Sequence, residues 1–405
     1  GAHLAQMNKN LVGKDGLNDF TTTIEGKIKI SKDISITGNY TYNLENGLDM
    51  YRGVRLSYSL YPGIVEQVPR AEWDQDILKE TTSNNNYYIF NVFGNYNKSF
   101  GDHNIEVTAG YNREERTFKT IYAEGQELLS ETLNDLNLVT GDKQLKGGSS
   151  EWALSGMFYR VNYNYKGKYL LETSGRYDGT SRFRRGDRYG FFPSFSLGWR
   201  ISDEAFFEPL KNTVNSLKLR GSYGSLGNQL VSTYAYISTM PTSLLNYLID
   251  GKKTTIVSAP DPVSADLTWE MTISKNIGLD INFLKNRLSL SLDGYIRDTK
   301  GMLIKGKTLP KVFGAPEPRE NAGDLRTRGF EVSLNWKDQV SSLAGKPFKY
   351  YIGINLSDYT AKITKFDNPT NIISDYYVGK RLGEIWGFMY DGYFKTDQEA
   401  SDYSV

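Results

Sequence analysis

The sequence contains no cysteine and only two histidines, His3 and His103, in 405 residues. Without thiols there is no disulfide framework and no thiolate metal site, and an oxidising envelope compartment is permitted but not required. One histidine lies among the first residues and the other in what reads as a short turn, so Ser-His-Asp catalysis and imidazole metal sites are poorly supplied. Long apolar runs are missing too, since nothing approaches the roughly 18 to 20 residues of a membrane helix. Neither charge sign dominates: 48 Lys and Arg against 47 Asp and Glu leave +1. No global field therefore favours nucleic acid or an acidic partner. Gly221, Gly224 and Gly227 are spaced by three and do not form GxGxxG, and neither a phosphate loop nor a GxSxG elbow occurs. Glu114 and Glu115 imitate a glycosidase dyad, but neighbours on a strand point to opposite faces. No enzymatic activity, metal ligand or cofactor is expected.

What is abundant is Tyr and Gly, at 29 and 39 residues, within a hydrophobic fraction of only 39% and a mean hydropathy of −0.50. That combination suits strands which alternate lipid-facing and polar side chains between aromatic girdles. Trp152 to Asp178 shows the pattern. Met157, Tyr159, Val161, Tyr163 and Tyr165 alternate with Phe158, Arg160, Asn162 and Asn164. Lys166-Gly167-Lys168 turns the chain, and Tyr169, Leu171, Thr173 and Tyr177 return opposite Glu172, Ser174 and Arg176, with Leu170 as the exception.

The rest of the chain repeats this hairpin. The first 19 residues read as an exposed loop. Strands follow around Ile24–Ile30 and Ile34–Tyr42, Tyr88–Tyr96 and Ile105–Tyr111, Phe195–Trp199 and Leu217–Tyr223, Ile277–Phe283 and Leu288–Ile296, and Phe330–Trp336 and Tyr350–Leu356. Short helical turns are expected near Ala71–Lys79, Glu127–Leu136 and Asp203–Lys211, with Lys146–Ser150 as flexible chain. Short and long connections alternate, as periplasmic turns and extracellular loops do in a transmembrane barrel, whereas a soluble sandwich or propeller has strands of about 5 to 6 residues and no such asymmetry. The expected fold is therefore all-β, an antiparallel up-and-down barrel sector of about twelve strands. An open row would leave unpaired edges in lipid, so further strands are expected to close it. Gly1 in place of an initiator Met, and no signal peptide, support reading the sequence as part of a longer polypeptide. Leu290, Leu292, Val332, Leu334 and Ile354 are expected to face lipid, and Ser289, Ser291, Glu331, Ser333 and Asn355 the lumen.

The run RYDGTSRFRRGDRYGFFPSFSLGWRISDEAFF from Arg176 to Phe207 resembles the SusC/RagA group of TonB-dependent outer-membrane transporters of Bacteroidota. Leu219–Gln229, Leu267–Leu303 and NAGDLRTRGFEVSLNW from Asn321 to Trp336 resemble the same family in the same order. The resemblance implies a cell outer-membrane location, a 22-stranded barrel with residues 1–405 as part of its wall, and a plug domain and TonB-binding segment outside this sequence. It also implies a SusD-like surface lipoprotein as lid, the TonB-ExbB-ExbD complex as energy source, and a glycan, oligosaccharide or oligopeptide as cargo. A passive porin and a surface adhesin are the alternatives.

Arg182 to Arg188, followed by Phe191 and Phe192, mixes cations with aromatics as single-stranded nucleic-acid binders do. Between two barrel strands it reads instead as an outer loop facing lipopolysaccharide headgroups or neighbouring loops. Trp73, Tyr122, Tyr234, Tyr236 and Tyr247 are the candidate ligand-binding residues, because they lie in long connections and aromatic faces hold sugars or peptides.

Overall fold

The computed structural model describes residues 12–55, 57–67, 76–264, 266–306, 310, 312, 314–315, 317–343, 346–369, 372–390 and 392–403. Its strands are β1 (Val12–Lys29), β2 (Ile34–Gly53), β3 (Ser57–Tyr61), β4 (Ile64–Gln67), β5 (Ile77–Phe100), β6 (His103–Gln126), β7 (Lys143–Tyr165), β8 (Tyr169–Thr180), β9 (Tyr189–Arg200), β10 (Val214–Asn228), β11 (Thr242–Ile249), β12 (Lys252–Val257), β13 (Glu270–Phe283), β14 (Leu288–Lys305), β15 (Arg319–Leu343) and β16 (Lys346–Lys365). One antiparallel sheet of twelve strands runs β1-β2-β5-β6-β7-β8-β9-β10-β13-β14-β15-β16. The pairs β3–β4 and β11–β12 are separate two-stranded ribbons, carried on the connections that follow β2 and β10. More than half of the chain is strand, and α1 (Asp397–Tyr403) is a short helix near the end. Among the described residues no helix is long and apolar enough to cross a membrane.

Register fixes the faces, because directly paired residues share a side of the sheet. Leu290 pairs with Ile281 and Leu334, and Leu334 with Ile354; Ser291 pairs with Asp280 and Ser333, and Ser333 with Asn355. The apolar and polar sets expected from the alternation thus stay on opposite faces across four strands. The apolar face carries two aromatic belts. At the end of the short turns, Phe100 stacks on His103 at 5.3 Å between centroids, His103 meets Tyr165 at 4.8 Å, and its Nδ1 lies 2.7 Å from the Tyr163 hydroxyl. His103 is thus the first residue of β6 and a member of this belt rather than a plain turn residue. Toward the other end Tyr42 stacks on Tyr88 at 5.1 Å and Tyr177 on Tyr189 at 5.2 Å. Amphipathic rings belong at the two headgroup levels. Past the second belt the outward face turns polar, where Arg113 Nε donates to Glu115 Oε1 at 2.7 Å.

The strands run well beyond the membrane. A tilted strand needs about 9–11 residues to span, whereas β5 and β6 have 24 each. Several expected loops are therefore strand. Residues 12–19 belong to β1, paired with β2, instead of a leading loop; residues 1–11 lie outside the described set. Lys146–Ser150 is not flexible chain but part of β7, paired with Tyr122–Phe118. Ile77–Lys79 opens β5 and is not helix, while 71–75 lie outside the described residues. The Glu127–Leu136 region is not helical up to residue 135, and a 3-10 turn forms only at Leu136–Leu138. There the Ser130 side chain takes the N–H groups of Thr132 and Leu133, and Asp135 takes that of Asn137; such local bonds compete with helix. The segment is held instead by burial of Leu128 and Val139 on Leu78, leaving Leu129 and Leu133 exposed.

At the short-turn end, Lys166 and Gly167 take the left-handed conformation in the three-residue connection between the paired Tyr165 and Tyr169, where Lys168 N donates to the Tyr165 carbonyl at 3.0 Å. Between β9 and β10 the expected helical turn is present as Ile201–Asp203 and Ala205–Leu210. Glu204 joins them to the wall: it accepts from the Tyr169 hydroxyl at 2.7 Å, from Trp199 Nε1 at 3.1 Å and from Lys168 Nζ at 3.2 Å. The Tyr169 hydrogen bond, then that of Trp199, holds its carboxyl below the usual carboxylate range.

Two tests follow from these arrangements. Because the folded state favours ionised Glu204, its contribution is complete above the ordinary carboxylate pKa and disappears as pH falls through the depressed folded value. Hydrogen exchange in 201–211 should therefore speed up on acidification below about pH 4, and Glu204→Gln should abolish that step; an unchanged pH profile in the variant would remove the assignment. On the wall, Leu290→Arg should destabilise by about 2–4 kcal/mol near the midplane. On the lumenal face, Ser291→Arg should disturb the Asp280 contact made by Ser291 Oγ at 2.7 Å, so Ser333→Arg, which gives up only a longer bond from Asn335 Nδ2 at 3.2 Å, serves as the lumenal control. Folding yields in lipid should fall for Leu290→Arg and not for Ser333→Arg.

Candidate functional site

The polar face is the lumenal one, and its side chains are tied to each other. Asn112 Nδ2 donates to Asn91 Oδ1 at 2.7 Å, and Asn91 Nδ2 to Asn39 Oδ1 at 2.8 Å, a ladder across β6, β5 and β2. Arg220 on β10 bridges Asp280 at 3.1 Å and also Asp293, which accepts from Asn276 Nδ2 at 3.0 Å. A concavity of about 580 Å³ on this face is lined by Asn104, Glu106, Asn162, Glu172, Lys218 and Arg220 among others. Interlinked polar groups in such a wall present a hydrated surface with fixed donors and acceptors, suited to passing or binding a polar solute.

Above the membrane the outer connections pack on one another. Phe183 is fully buried in a cluster with Val231 and Leu267, against which Ala235, Trp269 and Leu303 pack. Trp269 meets Phe183 and Phe192 edge-on at 5.6 and 5.1 Å, and its Nε1 donates to the Arg188 carbonyl at 2.8 Å. Asn321 clamps the same region: its Nδ2 donates to the carbonyls of Gly301 at 2.7 Å and Thr268 at 3.0 Å, while its Oδ1 accepts from Thr268 N at 2.9 Å. The Arg182–Arg188 loop therefore meets neighbouring loops.

The candidate ligand residues are dispersed. Trp73 lies outside the described residues. Tyr122 is not in a connection but near the outer end of β6, where burial and then its bond to Glu124 push the phenol up to about 12. Tyr234 has φ +64 and its hydroxyl accepts from Glu151 N at 3.1 Å, which ties the connection after β10 to β7. Tyr236 is half-buried beside it in sequence, and Tyr247 stands exposed on β11. Among the described residues no ring contact or hydrogen bond joins any two of them.

The structure brings forward a different group at the outer rim of the lumenal face. Register aligns Tyr87, Arg116 and Trp152 across β5, β6 and β7, and Arg182 reaches over from the loop after β8 with its guanidinium 5.2 Å from the Trp152 ring. Arg182 belongs to the cationic run visible in sequence; Arg116 and Trp152 are far from it in the chain, and only register joins them.

Truncating Phe183 to Ala should loosen this loop platform by about 3 kcal/mol, the low end for a buried Phe. Hydrogen exchange should rise in 181–188 and 229–269 while the wall strands stay protected; exchange rising equally throughout would mean the platform is not a separate unit.

Residues 7–400 match the family model "TonB dependent receptor-like, beta-barrel". The chain is 30% identical over 294 residues to the TonB-dependent receptor SusC of Bacteroides thetaiotaomicron, covering 71% of this chain and 28% of SusC. It is 32% identical over 319 residues to TonB-dependent receptor P26 of Formosa agariphila, covering 75% of this chain and 31% of that protein. The chain thus spans about three tenths of the length of these curated relatives. In fold it is similar to the RagAB peptide importer in its closed-closed state, with TM-score 0.72, 21% identity, and coverage of 88% of this chain and 38% of that one. It also resembles the siderophore receptor PiuA of Acinetobacter baumannii, at TM-score 0.51, 12% identity, and coverage of 91% and 49%. With an apolar belted face, a hydrogen-bonded lumenal face and a family match over nearly its whole length, the chain belongs to the TonB-dependent receptor β-barrel family.

Proposed function

We propose that this chain forms part of the wall of a transporter that imports an oligomeric nutrient across the outer membrane, energised through the TonB-ExbB-ExbD complex. The single observation that carries the reading is the pairing of a polar lumenal wall with outer connections packed into a fixed platform around Phe183 and Trp269. A wall of this kind accepts a hydrated cargo, and a fixed platform can present it or dock a lid. A SusD-like surface lipoprotein is the lid in this proposal, and the likeness to SusC supports it. The proposed cargo is an oligosaccharide or an oligopeptide; the likeness in fold to the RagAB peptide importer supports the peptide. A plug domain and strands pairing with the outer edges of β1 and β16 complete the barrel in this reading, since exposed strand edges are not viable in lipid. Trp73, Tyr122, Tyr234, Tyr236 and Tyr247 are proposed to contact cargo or lid.

The test is uptake in cells with and without TonB. Uptake should be lost without TonB, while replacing Tyr236 and Tyr247 with Ala should weaken it and leave barrel assembly intact. Uptake unaffected by loss of TonB would point to a passive porin.

A further inference from the structure

A pocket of about 240 Å³ opens at the outer rim of the lumenal face, lined by Arg116, Phe118, Ser150, Trp152, Arg182 and Thr233. Its charge is one-sided. Among the described residues neither Arg116 nor Arg182 forms an ion pair: Arg116 Nε donates to Asn85 Oδ1 at 2.6 Å, and Arg182 NH1 donates to the Val231 carbonyl. The carboxylates nearby are already engaged, Glu114 by the Tyr87 hydroxyl at 2.6 Å and Glu45 by Asn85 Nδ2 at 2.7 Å. No carboxylate is among the residues lining the pocket, and neither guanidinium is within ion-pair distance of one among the described residues. Burial, and secondarily the like charge of Arg116, pull Arg182 below the usual guanidinium range. A guanidinium does not give up its proton in a protein, so both positive charges remain at the pocket.

Among the described residues the Trp152 indole Nε1 has no acceptor, and it is closed off within the wall rather than open to the pocket. Trp152 is meanwhile held from both sides, by the Arg182 guanidinium 5.2 Å from its ring and by the Tyr87 ring at 6.1 Å. The Phe118 ring lies 5.9 Å from the Arg116 guanidinium. Fixed aromatic surfaces and two guanidiniums therefore line one small pocket, with two hydroxyl side chains, Ser150 and Thr233, at its wall.

We propose that this pocket is a subsite for an anionic group of the cargo, a carboxylate or sulfate, received by Arg116 and Arg182 beside the Trp152 ring. Its volume takes one charged residue of an oligomer rather than the whole ligand. Charge-assisted hydrogen bonds to two guanidiniums would give it preference for acidic over neutral cargo of equal size, and its place on the outer rim puts selection before passage. The inference rests on the import reading, but binding is measured separately from transport, so either can fail alone.

The experiment is calorimetric titration of the detergent-solubilised protein, as produced in the outer membrane, with four probes: a uronic-acid trisaccharide, a sulfated trisaccharide, a neutral trisaccharide, and a tripeptide with a Glu residue. At least one acidic probe should bind more tightly than the neutral sugar, and which one does so identifies the source of the anion. Arg116→Gln, which keeps a donor for Asn85, should weaken that binding about tenfold or more, the scale of one charge-assisted hydrogen bond. Trp152→Phe, which keeps a ring under Arg182, should weaken it less, and binding of the neutral sugar should not change. Retained heat resistance of the barrel on gels shows that each variant is folded; a variant that fails this is replaced by Arg116→Lys, which should restore partial binding of the acidic probe. Equal binding of acidic and neutral probes, or acidic binding unchanged in a folded Arg116→Gln protein, overturns the proposal.

Discussion

Inside a bilayer every backbone N–H and C=O has to find its partner within the protein, and a sheet does this only through an unbroken hydrogen-bond register. In this chain that register runs through twelve strands without a crossover. Nearly every other feature depends on it. Because side chains alternate along each strand, a continuous register forces continuous faces, so Leu290 lines up with Leu334 and Ile354 while Ser291 lines up with Ser333 and Asn355. A slip of one residue would reverse both sets at once.

The same register builds the site. Tyr87, Arg116 and Trp152 come from three strands and meet only because β5, β6 and β7 are in step over their full lengths. The length of those strands matters in its own right: their outer halves stand in water, so polar side chains can occupy both faces there and the loops are raised into a platform. Loop packing around Phe183 and Trp269 then brings Arg182 over the rim. Sheet order sets what the loops can reach, and loop burial sets which cation arrives.

The wall was legible because alternation is a strong local signal. Leu288 to Ile296 opposite Ser289 to Asp293 shows its faces without any tertiary information, and the twelve-strand count follows from similar runs. What sequence missed lay where the alternation loses its apolar half. Residues 12–19 and 146–150 have the Gly, Lys and Ser content of loops, yet they pair because the neighbouring strand offers an edge. Leu129, Leu133 and Leu136 imitate helical spacing, but Ser130 and Asp135 take the backbone N–H groups a helix would need. The candidate aromatics were chosen for sitting in connections, and Tyr234 shows why that is weak: its hydroxyl anchors a loop to β7. Arg182 was noticed for its charge, but its partners Arg116 and Trp152 are separated from it by register and loop packing, which no local window contains.

The absence of native cysteine makes the central claim, one lipid face and one lumenal face, directly measurable. Single cysteines placed in turn from Leu288 to Leu292, in the protein reconstituted in bilayers, can carry a fluorophore quenched either by a lipid-phase nitroxide or by aqueous iodide. The structure requires period-two alternation, with positions 288, 290 and 292 quenched from the lipid and 289 and 291 from water. Uniform quenching along the strand, or the opposite phase, would contradict it.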